Sequence, residues 1–279
     1  MIDESTGVQV TGARLHVVDE GDPGSPAIVL LHAGIADLRS WDDVAPVLTN
    51  AGYRVIRFDM RGAGRTESQA VPYSRSADVV AVLDAAGVER AALVGNSLGG
   101  SIAFDTAIAA PDRVVAIVAV AAGLGGFDGG RNAEEQALFD EMDRIESAVP
   151  PDPDAVADMD IRVWVDGPGR SPDRVPAAIR DLVAEMDTLG YEPGHETGSL
   201  IRLEPPAAER LDEIRCPVLA LAGELDVSGV SVTARHLEAA LPNAQAEMWP
   251  NVAHMIGMEL PDELATRVVE FLAPLPRWA

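Results

Sequence analysis

The chain has no lysine: its 21 basic residues are all arginines, set against 45 aspartates and glutamates for a formal net charge of −24. Without lysine there is no side-chain amine for Schiff-base chemistry. So acidic a surface repels phosphate backbones and anionic lipid, which argues against nucleic acid and membranes as partners, and it slows anionic substrates unless an arginine waits in the site. Cys216, the one cysteine, leaves no internal disulfide and no cysteine-built zinc site. Its place at the head of an apolar strand, before Pro217, predicts a buried, inert thiol. No apolar run approaches the roughly 20 residues that a membrane helix needs. Asp3 and Glu4 stand where a secretory signal would be basic, with no apolar stretch behind them, so a cytoplasmic protein is expected. Metal-ligand clusters and nucleotide fingerprints are missing as well, and no cofactor is expected.

Apolar residues, by contrast, make up 47% of the 279, enough for one large α/β domain with an insertion. Segments 8–10 and 14–19 read as a small hairpin turning at Gly12. Apolar runs at 27–31, 53–58, 91–96, 114–122, 217–222 and 245–249 read as strands, most of them buried on both faces. Between them, helical periodicity covers 41–50 with Ser40 as N-cap, 74–86 with Gly87 as C-cap, 98–110, 230–240 and 261–272. Such alternation predicts an α/β fold with a mostly parallel, doubly wound sheet and right-handed crossovers. The glycine-rich loop Asp59-Met60-Arg61-Gly62-Ala63-Gly64-Arg65-Thr66 lacks the spacing of a phosphate loop and reads as a structural turn. At Gly123 the alternation stops. Through residue 206 the sequence is acidic and helical with proline breaks, at 132–148, 154–165 and 172–189. An insertion there predicts a cap over the C-terminal ends of the strands, with 1–123 and 207–279 as the core and 124–206 as the cap.

Chemistry concentrates in Gly95-Asn96-Ser97-Leu98-Gly99-Gly100, where a buried strand meets a serine and a helix begins at once. A turn this sharp holds Ser97 in a strained conformation with its hydroxyl clear of both elements, and glycines at 95 and 99 avoid crowding it. The Leu98 N–H then points at negative charge developing beside the hydroxyl. A serine nucleophile needs a base and a partner that fixes the base's tautomer. Of five histidines, His254 follows the last strand and shares the sheet edge with Ser97, and Asp226 ends the strand before it. His16 reads as structural, His195 and His236 as surface. A second oxyanion donor is expected from the loop His32-Ala33-Gly34-Ile35, at the Gly34 N–H or alternatively at Ile35, with His32 ordering the loop.

Together, Leu30-Leu31-His32-Ala33-Gly34, the Asp59 to Thr66 loop, the Ser97 turn, Gly223-Glu224-Leu225-Asp226 and Val252-Ala253-His254 resemble the successive signature segments of the α/β-hydrolase superfamily, along the whole chain. Within it the chain looks most like small capped bacterial carboxylesterases and enol-lactonases. The resemblance implies an eight-stranded, mostly parallel sheet with an inserted helical cap, and Ser97 as nucleophile, Asp226 as acid and His254 as base. It implies hydrolysis of a small, mainly apolar carboxylic ester or lactone through an acyl-enzyme. Alternatives on the same fold are a ligand receptor that does not turn over, a carbon–carbon bond hydrolase and a cofactor-free perhydrolase. Two departures bear on this. Ala33 replaces the usual glycine after the histidine, and the longer glycine-rich oxyanion loop of carbon–carbon bond hydrolases is missing. Epoxide hydrolases and haloalkane dehalogenases carry an aspartate where Ser97 stands. Position and apolar size nominate Ile35, Trp41, Leu124, Phe127, Phe139, Trp164 and Met255 as substrate-pocket walls; Arg162, beside Trp164, reads as a salt bridge on the cap surface or, alternatively, as the partner of a substrate carboxylate.

Overall fold

The apolar runs become strands of the computed structural model, which describes residues 1–2 and 7–278. The acidic start at Asp3 and Glu4 lies outside the described residues. In chain order the elements are β1 (Val8–Val10), β2 (Ala13–Leu15), β3 (Val17–Glu20), β4 (Ala27–Leu31), α1 (Ala45–Asn50), β5 (Arg54–Phe58), β6 (Glu67–Ser68), α2 (Arg75–Ala86), β7 (Ala91–Asn96), α3 (Leu98–Ala109) and β8 (Val114–Val120). Then follow α4 (Ala133–Glu146), α5 (Pro153–Asp160), α6 (Ala177–Leu189), β9 (Val218–Gly223), α7 (Ser228–Ala240), β10 (Ala244–Trp249), α8 (Ile256–Glu259) and α9 (Pro261–Leu272). Among the described residues no helix is long and apolar enough to cross a membrane.

The main sheet has the order β10-β9-β8-β7-β4-β5-β3, parallel except for β3, which runs antiparallel to β5. Among the described residues it has seven strands where the resemblance implies eight, because the expected strand at 14–19 divides at His16. The His16 N–H donates to Thr66 Oγ1 (2.9 Å) and its carbonyl accepts from the Asp59 N–H (3.0 Å). That residue is therefore spent on the Asp59 loop. β2 pairs with β1 and β6 in a separate small sheet, while β3 joins the large one.

Strand alternation sorts side chains into two cores. From β4, Ile28 and Leu30 face α1 and α9, while Ala27, Val29 and Leu31 face α2, α3 and α7. Both faces being covered, β4 carries no polar residue. Helix ends follow local chemistry: Ser74 Oγ accepts from the Ala77 N–H, and Gly87 closes α2 at φ 65°. The helix expected at 41–50 is shorter. Asp37 caps a 3-10 turn over Leu38–Trp41, Ser40 Oγ donates to the Asp37 carbonyl, and Pro46 marks the first turn of a separate α1.

The helices inserted between β8 and β9 rest on the C-terminal edge of the sheet. α5 continues into a π-helical turn, Ile161–Val165, an irregularity frequent at functional sites. Ile161, Val165, Val175, Val183 and Met186 from this insertion share one apolar cluster with Ala33, Ala36 and Met255. The insertion is therefore packed directly on the loops after β4 and β10.

Candidate active site

β7 ends at Asn96 and α3 begins at Leu98, leaving Ser97 between them at φ 53°, ψ −112°. A non-glycine residue in that region costs on the order of 1–3 kcal/mol and persists only where its surroundings impose it. Glycines make the space. A Cβ on Gly95 would lie 2.3 Å from the Gly99 carbonyl, and one on Gly99 would lie 2.2 Å from the Leu31 oxygen. The Ser97 N–H donates to the Val120 carbonyl (2.8 Å). Asn96 ties the turn to its surroundings, its amide donating to the carbonyls of Val120 (3.3 Å) and His254 (3.2 Å). Sequence reasoning passed over Asn96, although a polar residue ending an otherwise buried run was the available signal.

Asp226 Oδ2 accepts from His254 Nδ1 (2.7 Å), and its other oxygen accepts from the Val227 N–H (2.7 Å). Both side chains are buried. A carboxylate fixed in this way holds the proton on Nδ1 and leaves Nε2 free to act as a base. The loop is held on three sides: the His254 N–H donates to the Trp164 carbonyl (3.3 Å), the Ala253 N–H donates to Glu259 (3.0 Å), and Glu259 pairs with Arg174 of the insertion. The Trp164 ring lies 4.5 Å from the His254 ring and meets Phe139 edge-on at 5.5 Å. Ser97, His254, Phe139 and Trp164 line one cavity of about 170 Å³. Among the described residues the serine and the imidazole share it without a mutual hydrogen bond.

β4 and β7 are neighbours at the point where the strand order reverses, so the loops after them open a crevice, as expected of a doubly wound sheet. The missing Cβ of Gly34 would lie 3.7 Å from Leu98 Cδ2, which sets the two candidate oxyanion loops side by side. His32 is fully buried between two hydrogen bonds: Nδ1 donates to the Ala33 carbonyl (2.7 Å) and Nε2 accepts from the Met60 N–H (2.9 Å). Those partners suit the neutral ring, and burial lowers its pKa. His32 orders the loop. Asp59 does the same for its own turn, accepting from the Leu38 and Arg65 N–H groups, and burial pushes its carboxyl up to about 7.

Of the nominated walls, Phe139 and Trp164 line the cavity with Ser97. Trp41 does not: it is buried in the core on the α1 and α9 side, where a Cβ on Gly257 would touch its ring at 3.2 Å. Leu124 packs into the core on the other face, and Phe127 stacks on His236 at 4.1 Å. Met255 and Ile35 belong to the apolar cluster beneath the insertion. Apolar size drew all five to packed surfaces. His236 and His195 are half-buried, and His195 Nε2 donates to the Gly64 carbonyl (2.8 Å), pinning the return of the insertion. Arg162 pairs with Glu141 at 3.5 Å. Cys216 is partly buried, and burial pushes its thiol up to about 12.

The chain matches the family model described as alpha/beta hydrolase fold over residues 26–261. It is 30% identical over 272 residues to a 2-hydroxy-6-oxononadienedioate/2-hydroxy-6-oxononatrienedioate hydrolase of Burkholderia vietnamiensis, covering 94% of this chain and 92% of that protein. Identity to epoxide hydrolase A of Mycobacterium tuberculosis is 37% over 119 residues, and the match spans 40% of this chain and only 37% of that protein. Among solved structures, carboxylesterase CesB of Bacillus subtilis superposes with a TM-score of 0.73 at 22% identity, over 96% of this chain and 91% of the other.

Proposed function

The chain belongs to the α/β-hydrolase fold family, and on that premise we propose that it is a serine hydrolase of small, mainly apolar carboxylic esters or lactones. The observation that carries this reading is the 2.7 Å bond from His254 to Asp226 in the wall of a cavity shared with Ser97. In the proposed reaction, Ser97 Oγ attacks the carbonyl carbon as His254 Nε2 takes the hydroxyl proton. The Leu98 and Gly34 N–H groups receive the oxyanion. The imidazolium returns its proton to the departing alkoxide, leaving an acyl-serine. His254 then deprotonates water, the hydroxide attacks the acyl carbon, and Ser97 recovers its proton as the acid leaves. Residues 124–206 serve as the cap that closes the site, and no cofactor enters. The partial match to an epoxide hydrolase fits a shared framework, because Ser97 occupies the position that the resemblance assigns to an aspartate in those enzymes.

Ser97→Ala tests the assignment. Hydrolysis of 4-nitrophenyl butyrate should fall by about 10⁶, the scale seen when a triad serine is removed, with circular dichroism and thermal midpoint preserved. Turnover retained by the variant would sink the reading. A second reading, carbon–carbon bond hydrolysis of an oxo-dioate, draws on the Burkholderia relative's name. Turnover of a 2-hydroxy-6-oxo-dienedioate with no turnover of any simple ester would favour it.

A further inference from the structure

Arg131 is exposed, and whereas Arg39, Arg61 and Arg180 sit on the carboxylates of Asp37, Asp78 and Asp166, it rests on an aromatic ring. Among the described residues Arg131 has no carboxylate within ion-pair distance; its guanidinium lies 3.7 Å from the centre of the Phe139 ring. It lines the same cavity of about 170 Å³ as Ser97 and His254. Stacked on an aromatic face, a guanidinium keeps its edge of N–H donors free for a planar anion.

The position is built from several sides. Asn132 caps α4 through a reciprocal pair with Glu135. The same buried Glu135 accepts from the Ser228 N–H (2.7 Å) and the Ser228 hydroxyl (2.5 Å), two residues beyond Asp226. Just before Arg131, the Gly129 backbone approaches Gly229 so closely that a Cβ would lie 2.3 Å from the Gly229 oxygen. The loop bearing Arg131 is thus locked to the chain segment that carries the candidate acid. The N-terminal end of α4 disfavours a cation, while the buried Glu135 carboxylate gains from the Arg131 charge nearby. Asp128, the acidic side chain that lines the cavity, has one oxygen turned back onto the Gly130 N–H (2.9 Å).

We propose that Arg131 binds a carboxylate carried by the substrate, so that the preferred ester is a short monoester of a dicarboxylic acid, its free acid on Arg131 and its ester carbonyl at Ser97. This rests on the serine-hydrolase reading and narrows its substrate class to esters whose short apolar chain ends in a carboxylate. It also supplies the local cation that an anionic substrate needs against a net charge of −24.

Monomethyl glutarate and methyl valerate match in chain length and differ in the terminal carboxylate, and pH-stat titration reads both. The intact protein should prefer the glutarate ester in kcat/KM. In Arg131→Gln the anionic-to-neutral ratio should fall about 10- to 100-fold, mainly through KM, the loss expected for a charge-assisted hydrogen bond. Arg131→Lys should recover part of it. By calorimetry, Ser97→Ala should bind monomethyl glutarate and the double variant with Arg131→Gln should not. A ratio unmoved by Arg131→Gln, with binding equally unmoved, overturns the proposal and leaves the hydrolase reading standing. Arg131-dependent binding without turnover of either ester does the reverse.

Discussion

The serine turn and the cap above it are held by different physics. Around Ser97 the constraints are backbone against backbone: Gly95 against Gly99, and Gly99 against the Leu31 carbonyl, with no side chain that could move aside. The cap, beyond its apolar cluster with Ala33 and Met255 and its Gly129–Gly229 contact, is held by charges and rings that the turn lacks, such as Arg39 with Glu185, Arg174 with Glu259, and the stack of Arg131, Phe139, Trp164 and His254. Close-packed backbone admits one arrangement, whereas ion pairs and stacked rings tolerate adjustment. On the proposed reading, the turn fixes the reacting atoms and the cap selects what reaches them.

The largest expected effect breaks the rigid side of this contrast. Gly99→Ala places a Cβ 2.2 Å from a main-chain oxygen, and should destabilise the fold by more than about 3 kcal/mol in urea titration. Its counterpart in the cap, Gly169→Ala, has φ +69° but nothing within 4 Å of the new atom. Only the left-handed backbone penalty of about 1–2 kcal/mol applies there. Equal costs at the two glycines would erase the distinction. Next in size, Asp226→Asn should lower kcat by about 10⁴, by analogy with triads elsewhere, because the amide favours the wrong imidazole tautomer. Near-normal kcat in that variant would assign the role to another carboxylate.

A smaller effect tests the electrostatic side. Asp160 and Asp187 lie together inside the cap, and the Trp164 indole donates to Asp160 (3.0 Å). Burial above all, then the neighbouring charges of Asp187 and Glu146, raise the Asp160 pKa, and burial also raises that of Asp187, with Tyr191 beside them. Acids whose folded-state pKa exceeds the unfolded value of 3.8 stabilise most when protonated. Their contribution is lost as pH rises through the raised values. The thermal midpoint should therefore drop between pH 6 and pH 9, and Asp187→Asn should recover about 2–4 °C or more at pH 9. A midpoint independent of pH in this range, or a variant melting below the parent at pH 9, would contradict that account.

Much of the fold is legible because its causes are local. Runs such as 27–31 and 114–120 have no polar residue to turn outward, so they fit only a strand covered on both faces, and Ser74 and Gly87 mark helix ends through their own backbone chemistry. The split at His16 is not legible, because it is imposed by Thr66 and Asp59, some fifty residues away. In the site, the order Ser97, Asp226, His254 on strand ends is readable as spacing. The walls are not. Trp41 and Trp164 are equally large and apolar, and only the packing of α1, α9 and the π-turn decides which one faces a core and which one a cavity. Arg131 is hidden for a similar reason: its place depends on Gly129 meeting Gly229, a contact between segments a hundred residues apart.

The central claim is that Ser97 is the activated nucleophile, and an uncharged fluorophosphonate tests it without knowledge of the substrate. One equivalent should add per chain, peptide mass mapping should place it on Ser97, and His254→Ala should slow the labelling by orders of magnitude. Labelling on another residue, or none on the folded protein, would contradict it.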